Sequence, residues 1–248
     1  MKKTTLLANG CSWTYGGGLD RFYKDPEQLQ KKVWPHHLQS LVGFDQCYNL
    51  AAGGGSNQRI VRTTINWILQ QNKETLKNTT AVIQWTEWSR YEYYVPRHVF
   101  HEMEEYSERW ALCKIGNCMS SAELDHSENL AYIRERNNKR YETFTDLEGY
   151  YNYINHCQTL SSIFEEYGIK YYYWNFNTPM FRLPEPKKSF LLNRYNWLEP
   201  EGRHAWIYER FLNEINPRVP DDPHPNEQGH VELAKHIKDA MFKLKYYG

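Results

Sequence analysis

Long apolar runs are missing from this sequence. None approaches the roughly 20 residues that a membrane-spanning helix requires, and the basic start MKKTTLLANG holds too few apolar residues before Gly10 for a secretory core. A soluble chain with neither a cleaved signal nor a transmembrane segment is expected. An excess of one charge is also missing. Lys plus Arg number 30 and Asp plus Glu number 30, so there is no global field to draw the chain onto nucleic acid or an anionic membrane. Cysteine is sparse and odd in number, at 11, 47, 113, 118 and 157. That excludes a dense disulfide framework and fits a reducing compartment. Cys113 and Cys118, with His98, His101 and His126 nearby, have a permissible spacing for zinc, but no second pair follows and no metal is expected. Repeats and low-complexity segments are absent too. Aromatic residues, by contrast, are plentiful at 16 % of the chain. The core should therefore rest on aromatic faces, with Tyr hydroxyls that need partners.

The 248 residues suit one α/β domain better than two. Short apolar runs at Thr4–Asn9, Gln46–Leu50, Ala81–Trp85 and Ile169–Phe176 read as strands. Helices are expected at Val33–Leu41, from Ser56 or Asn57 to about Leu76, at Asp146–Tyr167 with Gly168 as its stop, and at Asn226–Tyr246. Strands alternating with helices predict a largely parallel sheet covered on both faces. The charged, aromatic stretch 90–145 shows no clear strand and reads as an inserted helical or loop segment, and 179–220 reads as loop.

Three places carry chemistry. Gly10-Cys11-Ser12 follows the first strand, at the end of an open sheet where ligands bind. Ser12 there can present its hydroxyl and its own N–H; the competing reading is a plain turn with Ser as a cap. Cys11 as nucleophile ranks lower, because its side chain should point away from the cleft. Asp221-Asp222-Pro223-His224-Pro225-Asn226 precedes the last helix. Asp221 and His224, three apart in a Pro-stiffened turn, can meet so that the carboxylate holds one ring nitrogen and the other faces out as a general base. Asp222 and Asn226 fit a helix N-terminus. Finally, Gly53-Gly54-Gly55 leaves the second strand, and amides in such a turn can point at an oxyanion; no phosphate-loop spacing accompanies it.

These blocks, in this order, resemble those of SGNH hydrolases, also called GDSL esterases and lipases. Gly10-Cys11-Ser12 is similar to their first block, with Cys11 where Asp is usual. Gly54 matches their second-block Gly, and Asp221-x-x-His224 their last block. The third block normally supplies an Asn; here Gln84-Trp85-Thr86-Glu87-Trp88 stands instead. The resemblance covers 4–90 and 146–246 and implies a flavodoxin-like three-layer α/β/α domain. It also implies a carboxylic ester hydrolase with Ser12, His224 and Asp221 as a catalytic triad. Ser12 and Gly54 N–H groups would form an oxyanion hole, with Thr86 or Trp88 as third donor. No metal or organic cofactor is implied. Arg90, Trp13 and Asn57 are candidates for substrate binding. An O-acetylated carbohydrate is one expected substrate, given the aromatics of the inserted segment. Alternatives are an acyltransferase using the same triad, or a non-catalytic carbohydrate-binding or virion-associated module. The expected partner is a small-molecule or glycan ester, in the cytoplasm or on a virion.

Overall fold

The computed structural model describes residues 3–94, 110–114, 117–118, 127–175, 195–198 and 218–247. Its main sheet holds β1 (Thr5–Asn9), β2 (Gln46–Asn49), β3 (Thr79–Trp85) and β7 (Lys170–Asn175), in the order β2-β1-β3-β7 and all parallel. Counted within the sheet this is 2-1-3-4, the flavodoxin-like order, whose ligands bind beyond the carboxyl ends of the strands. A parallel bridge from Tyr173 to Trp197 continues the sheet past β7.

Strand alternation sorts the core into two layers. Ala81, Ile83, Trp85, Tyr171 and Tyr173 face α4 (Asn57–Leu69) and α7 (Asp146–Tyr167). Leu6, Ala8, Val82, Tyr172 and Trp174 face α3 (Trp34–Val42) and α8 (Glu227–Tyr247). Five Trp side chains are almost wholly enclosed (Trp13, Trp34, Trp85, Trp174 and Trp197), so the core is aromatic as the composition predicts. The Tyr hydroxyls find partners: Tyr153 donates to Asn175 Oδ1 at 2.5 Å, and Tyr173 reaches the Cys157 carbonyl at 3.2 Å.

Two expectations are corrected. The helix expected to run to about Leu76 stops at Leu69, and a separate α5 (Lys73–Lys77) begins where Asn72 Oδ1 caps the Thr75 N–H at 2.9 Å. The inserted segment also contains strands. β4 (Arg90–Tyr94), β5 (Trp110–Lys114) and β6 (Asn117–Cys118) form a small antiparallel sheet, followed by α6 (Ser127–Thr143). This unit docks on α4 through a two-pronged ion pair, Arg62 Nε to Glu92 Oε1 at 2.8 Å and Arg62 Nη2 to Glu92 Oε2 at 2.9 Å. His98, His101, His126, Phe100 and Tyr106 lie outside the described residues, as does most of 179–220.

His230, in the first turn of α8, is a core residue. It is 0 % exposed, and its Nδ1 accepts the Trp34 N–H at 3.2 Å. The ring is thus neutral, protonated on Nε2. Desolvation lowers its pKa from 6.5 to about 3, and burial likewise lowers His156 to about 4. Below pH 6.5 the unfolded chain takes up protons that the folded chain refuses, so stability falls as pH drops through the window from 6.5 toward those lowered values. Each such histidine removes up to about 1.4 kcal/mol per pH unit. Urea unfolding at pH 7 and pH 5 should show this loss, and His230→Gln, which keeps an acceptor for Trp34, should lessen it. An unchanged pH dependence in the variant would contradict the assignment.

Candidate active site

The nucleophile turn is built on β1. Asn9, wholly buried, ends the strand; its Oδ1 accepts the Gly10 N–H at 2.8 Å, and its Nδ2 lies 2.9–3.1 Å from Thr63 Oγ1, Thr64 Oγ1 and the Ile60 carbonyl. On the other side, Gln84 Oε1 accepts from Cys11 N at 3.2 Å and from Thr14 Oγ1 at 2.5 Å. A Cβ on Gly10 would sit 2.5 Å from Gln84 Oε1, so this position needs glycine. Cys11 is buried and precedes α1 (Ser12–Tyr15). With four residues, α1 is too short to sum a useful dipole.

Ser12 Oγ lies 2.8 Å from His224 Nε2. The two residues are 212 positions apart in sequence, and this contact is the one expected from the motifs. The carboxylate is different from the expected one. Asp222, not Asp221, holds the ring: Asp222 Oδ1 pairs with His224 Nδ1 in a short contact and accepts the His224 backbone N–H at 2.9 Å. Asp221 is exposed and takes a left-handed conformation (φ 58°). The reason is local. Asp222 forms an Asx turn over Pro223 onto the residue two ahead, and the turn is closed by Val219 N–H to the His224 carbonyl at 3.0 Å. Asp221 sits on the exposed side of that turn.

Burial opposes ionisation of Asp222, but the His224 backbone and ring hydrogen bonds and the Arg21 charge outweigh it and hold the carboxyl below its usual range. Arg21 Nη2 lies 2.8 Å from Asp222 Oδ2. Both Asp222 oxygens are therefore engaged, which fixes the ring it supports.

Several functional positions went unread in the sequence. Gly17 packs directly on the contact pair: a Cβ there would lie 3.0 Å from His224 Nε2 and 3.0 Å from Ser12 Cβ. Gly18, at φ +81°, packs against Val219, Asp222 and His224. The signal was the run Gly16-Gly17-Gly18 immediately after the Ser12 block. Arg21, Asn9 and Gln84 carried no pattern that would have marked them.

The glycine turn after β2 lies against the nucleophile turn. A Cβ on Gly55 would meet the Gly10 carbonyl at 2.9 Å, and Gly54 has φ +70°. Among the other expected residues, Trp88 is corrected as a donor, because its Nε1–H is given to Asp146 Oδ1 at 3.3 Å. Asn57 is corrected as a substrate contact. It clamps β3 instead, donating to the Thr86 carbonyl at 3.0 Å and accepting the Thr86 N–H at 2.9 Å. Trp13 is buried in the core, not displayed to a ligand. The Thr86 hydroxyl is enclosed, with no hydrogen-bond partner among the described residues.

Among the described residues no helix is long and apolar enough to cross a membrane. A profile for a family of unknown function, DUF6071, matches residues 20–113, which include Gly54 but neither Ser12 nor His224. No curated protein matches. Similar solved structures include TesA, at 12 % identity and TM-score 0.49, covering 97 % of this chain and 99 % of that one. Esterase EstA from Pseudoalteromonas sp., in a structure inhibited by monoethylphosphonate, is 11 % identical at TM-score 0.47, covering 98 % and 100 %. A G-D-S-L family lipolytic protein from Desulfitobacterium hafniense DCB-2 is 10 % identical at TM-score 0.46, covering 96 % and 99 %. The fold itself stands on the strand order, and the site on its contacts. Over nearly its whole length this chain is similar to lipolytic proteins of the G-D-S-L type.

Proposed function

We propose that this chain is a serine ester hydrolase in which Ser12 is the nucleophile, His224 the general base and Asp222 the residue that orients the base. The observation that carries the reading is the 2.8 Å contact between Ser12 Oγ and His224 Nε2, backed by Asp222 on the opposite ring nitrogen. Ser12 Oγ attacks the ester carbonyl carbon as His224 Nε2 takes its proton. The tetrahedral intermediate collapses when His224 returns that proton to the leaving alcohol. Water, activated by the same imidazole, then releases the acid.

The N–H groups of Ser12 and Gly54 are the proposed donors to the developing oxyanion. Thr86 is the third: it directly follows β3, two residues after Gln84, which supports the nucleophile turn, and the Thr86 hydroxyl has no partner among the described residues. One such donor is worth about 2.7–4 kcal/mol in the transition state.

An O-acetylated carbohydrate loses part of its support. Of the aromatics expected to stack on sugars, Tyr91 donates to Asn137 Oδ1, and Tyr93 donates to the Arg136 carbonyl at 3.1 Å. These rings pack the inserted unit together.

Ser12→Ala tests the reading. Turnover of 4-nitrophenyl acetate should fall by at least about 10⁴-fold while the thermal transition is kept. Undiminished turnover would remove the mechanism. An acyltransferase with the same residues would be revealed by an acceptor alcohol outcompeting water for the acyl group.

A further inference from the structure

The loop leaving the C-terminal end of β3 turns at Arg90, the first residue of β4. The Arg90 side chain is only 10 % exposed. Its Nε and Nη1 nonetheless have no hydrogen-bond partner among the described residues. Among the described residues the Glu87 carboxylate lies 3.9 Å from Nε, an ion pair without a hydrogen bond. A guanidinium carries five donors and does not give up its proton, so enclosing it without acceptors is costly.

Two more enclosed donors at the same end of the sheet lack hydrogen-bond partners among the described residues. They are Trp85 Nε1, which ends β3, and Asn175 Nδ2, which ends β7. These two residues are register neighbours. Arg62 on α4 provides the contrast, since Glu92 of β4 engages it with two hydrogen bonds. Unsatisfied donors at the ligand edge of a parallel sheet call for a ligand that brings acceptors.

We propose that Arg90 binds a carboxylate carried by the ester substrate, so that the preferred substrate is an anionic ester. This rests on the hydrolase reading above. A carboxylate matches the flat guanidinium with two parallel hydrogen bonds. Glu87 selects between anions: its charge repels a phosphate dianion more than a carboxylate monoanion. Because Arg90 Nε and Nη1 have no hydrogen-bond partner among the described residues and the Glu87 carboxylate stands 3.9 Å from Nε, Arg90→Met should keep the fold.

The test uses the full chain and two readouts. The first is the rate at which a neutral fluorophosphonate labels Ser12 in the presence of paired additives: glucuronate against glucose, butyrate against butanol, and inorganic phosphate. In wild type a carboxylate should protect Ser12 about ten-fold more effectively than its neutral partner, and Arg90→Met should erase that difference. The labelling rate without additives sets the baseline for each protein, and protection is read against it. The second readout is the thermal shift produced by the same carboxylates, expected in wild type and lost in Arg90→Met. Equal protection by acids and neutral partners, or protection that survives in Arg90→Met, would overturn the proposal. So would phosphate protecting better than every carboxylate. If Ser12 is never labelled but the carboxylate shift depends on Arg90, the hydrolase reading fails and the anion site stands.

Discussion

Asp222→Asn should lower kcat/KM for an activated acetyl ester by about 10⁴-fold, whereas Asp221→Asn should stay within about two-fold of wild type, as exposed substitutions do. The cause is the imidazole tautomer. With a carboxylate on Nδ1, His224 carries its proton there and leaves Nε2 free to accept from Ser12. An Asn amide in that place can donate to Nδ1, which favours the proton on Nε2 and leaves no base facing Ser12. Asp222 Oδ1 meets both the ring and the His224 backbone N–H, so an amide turned to donate to Nδ1 gives up the backbone hydrogen bond, while its oxygen then faces Arg21. The Val219 N–H to His224 carbonyl closure of the turn is untouched by the substitution, and unfolding midpoints should separate lost chemistry from lost structure. Steady-state kinetics on the two variants decide between the carboxylates. A large loss in Asp221→Asn with little change in Asp222→Asn would reverse the assignment.

Gly17→Ala should have the next largest effect, a fall in kcat of about 10–100-fold, and Gly17→Val a larger one. The added methyl would lie 3.0 Å from His224 Cδ2 and Nε2 and 3.0 Å from Ser12 Cβ, so the imidazole or the serine must give way. Neither can move without spoiling the 2.8 Å contact between them. Misplacement by about 1 Å is enough to cost 10²-fold. Gly53→Ala is the matched control, because nothing lies within 4 Å of a Cβ there. Kinetics and thermal melts on both variants should show the loss in kcat confined to position 17. Equal effects at the two positions would mean that the close approach of Gly17 is immaterial.

The parts of the fold that were legible are those where one residue type decides. Strands β1, β3 and β7 are buried on both faces and read as short apolar runs, as at Ala81–Trp85. The pairing of Ser12 with His224 followed from two blocks that each sit beyond the sheet, at a strand end and at a helix start. The choice of carboxylate was not legible. Asp221 and Asp222 both lie within reach in sequence, and the outcome depends on the left-handed conformation of Asp221 and on the Asx turn over Pro223. Strand β4 was hidden because Arg90-Tyr91-Glu92-Tyr93-Tyr94 places charge where apolar alternation is sought. Glu92 is buried, and it is satisfied by Arg62 on a helix about 30 residues earlier. The break between α4 and α5 was legible at Asn72, a standard cap, but the apolar periodicity runs through it. The roles of Asn57 and Trp88 depended on long-range partners, Thr86 and Asp146, that no local pattern announces.

Mass mapping of the protein after reaction with a neutral fluorophosphonate examines the Ser12–His224 pairing at its reacting atom. One adduct is expected, on Ser12, lost in Ser12→Ala, slowed in Asp222→Asn and undisturbed in Asp221→Asn. An adduct on Cys11, or none on wild type while a control serine esterase is labelled under the same conditions, would contradict the account.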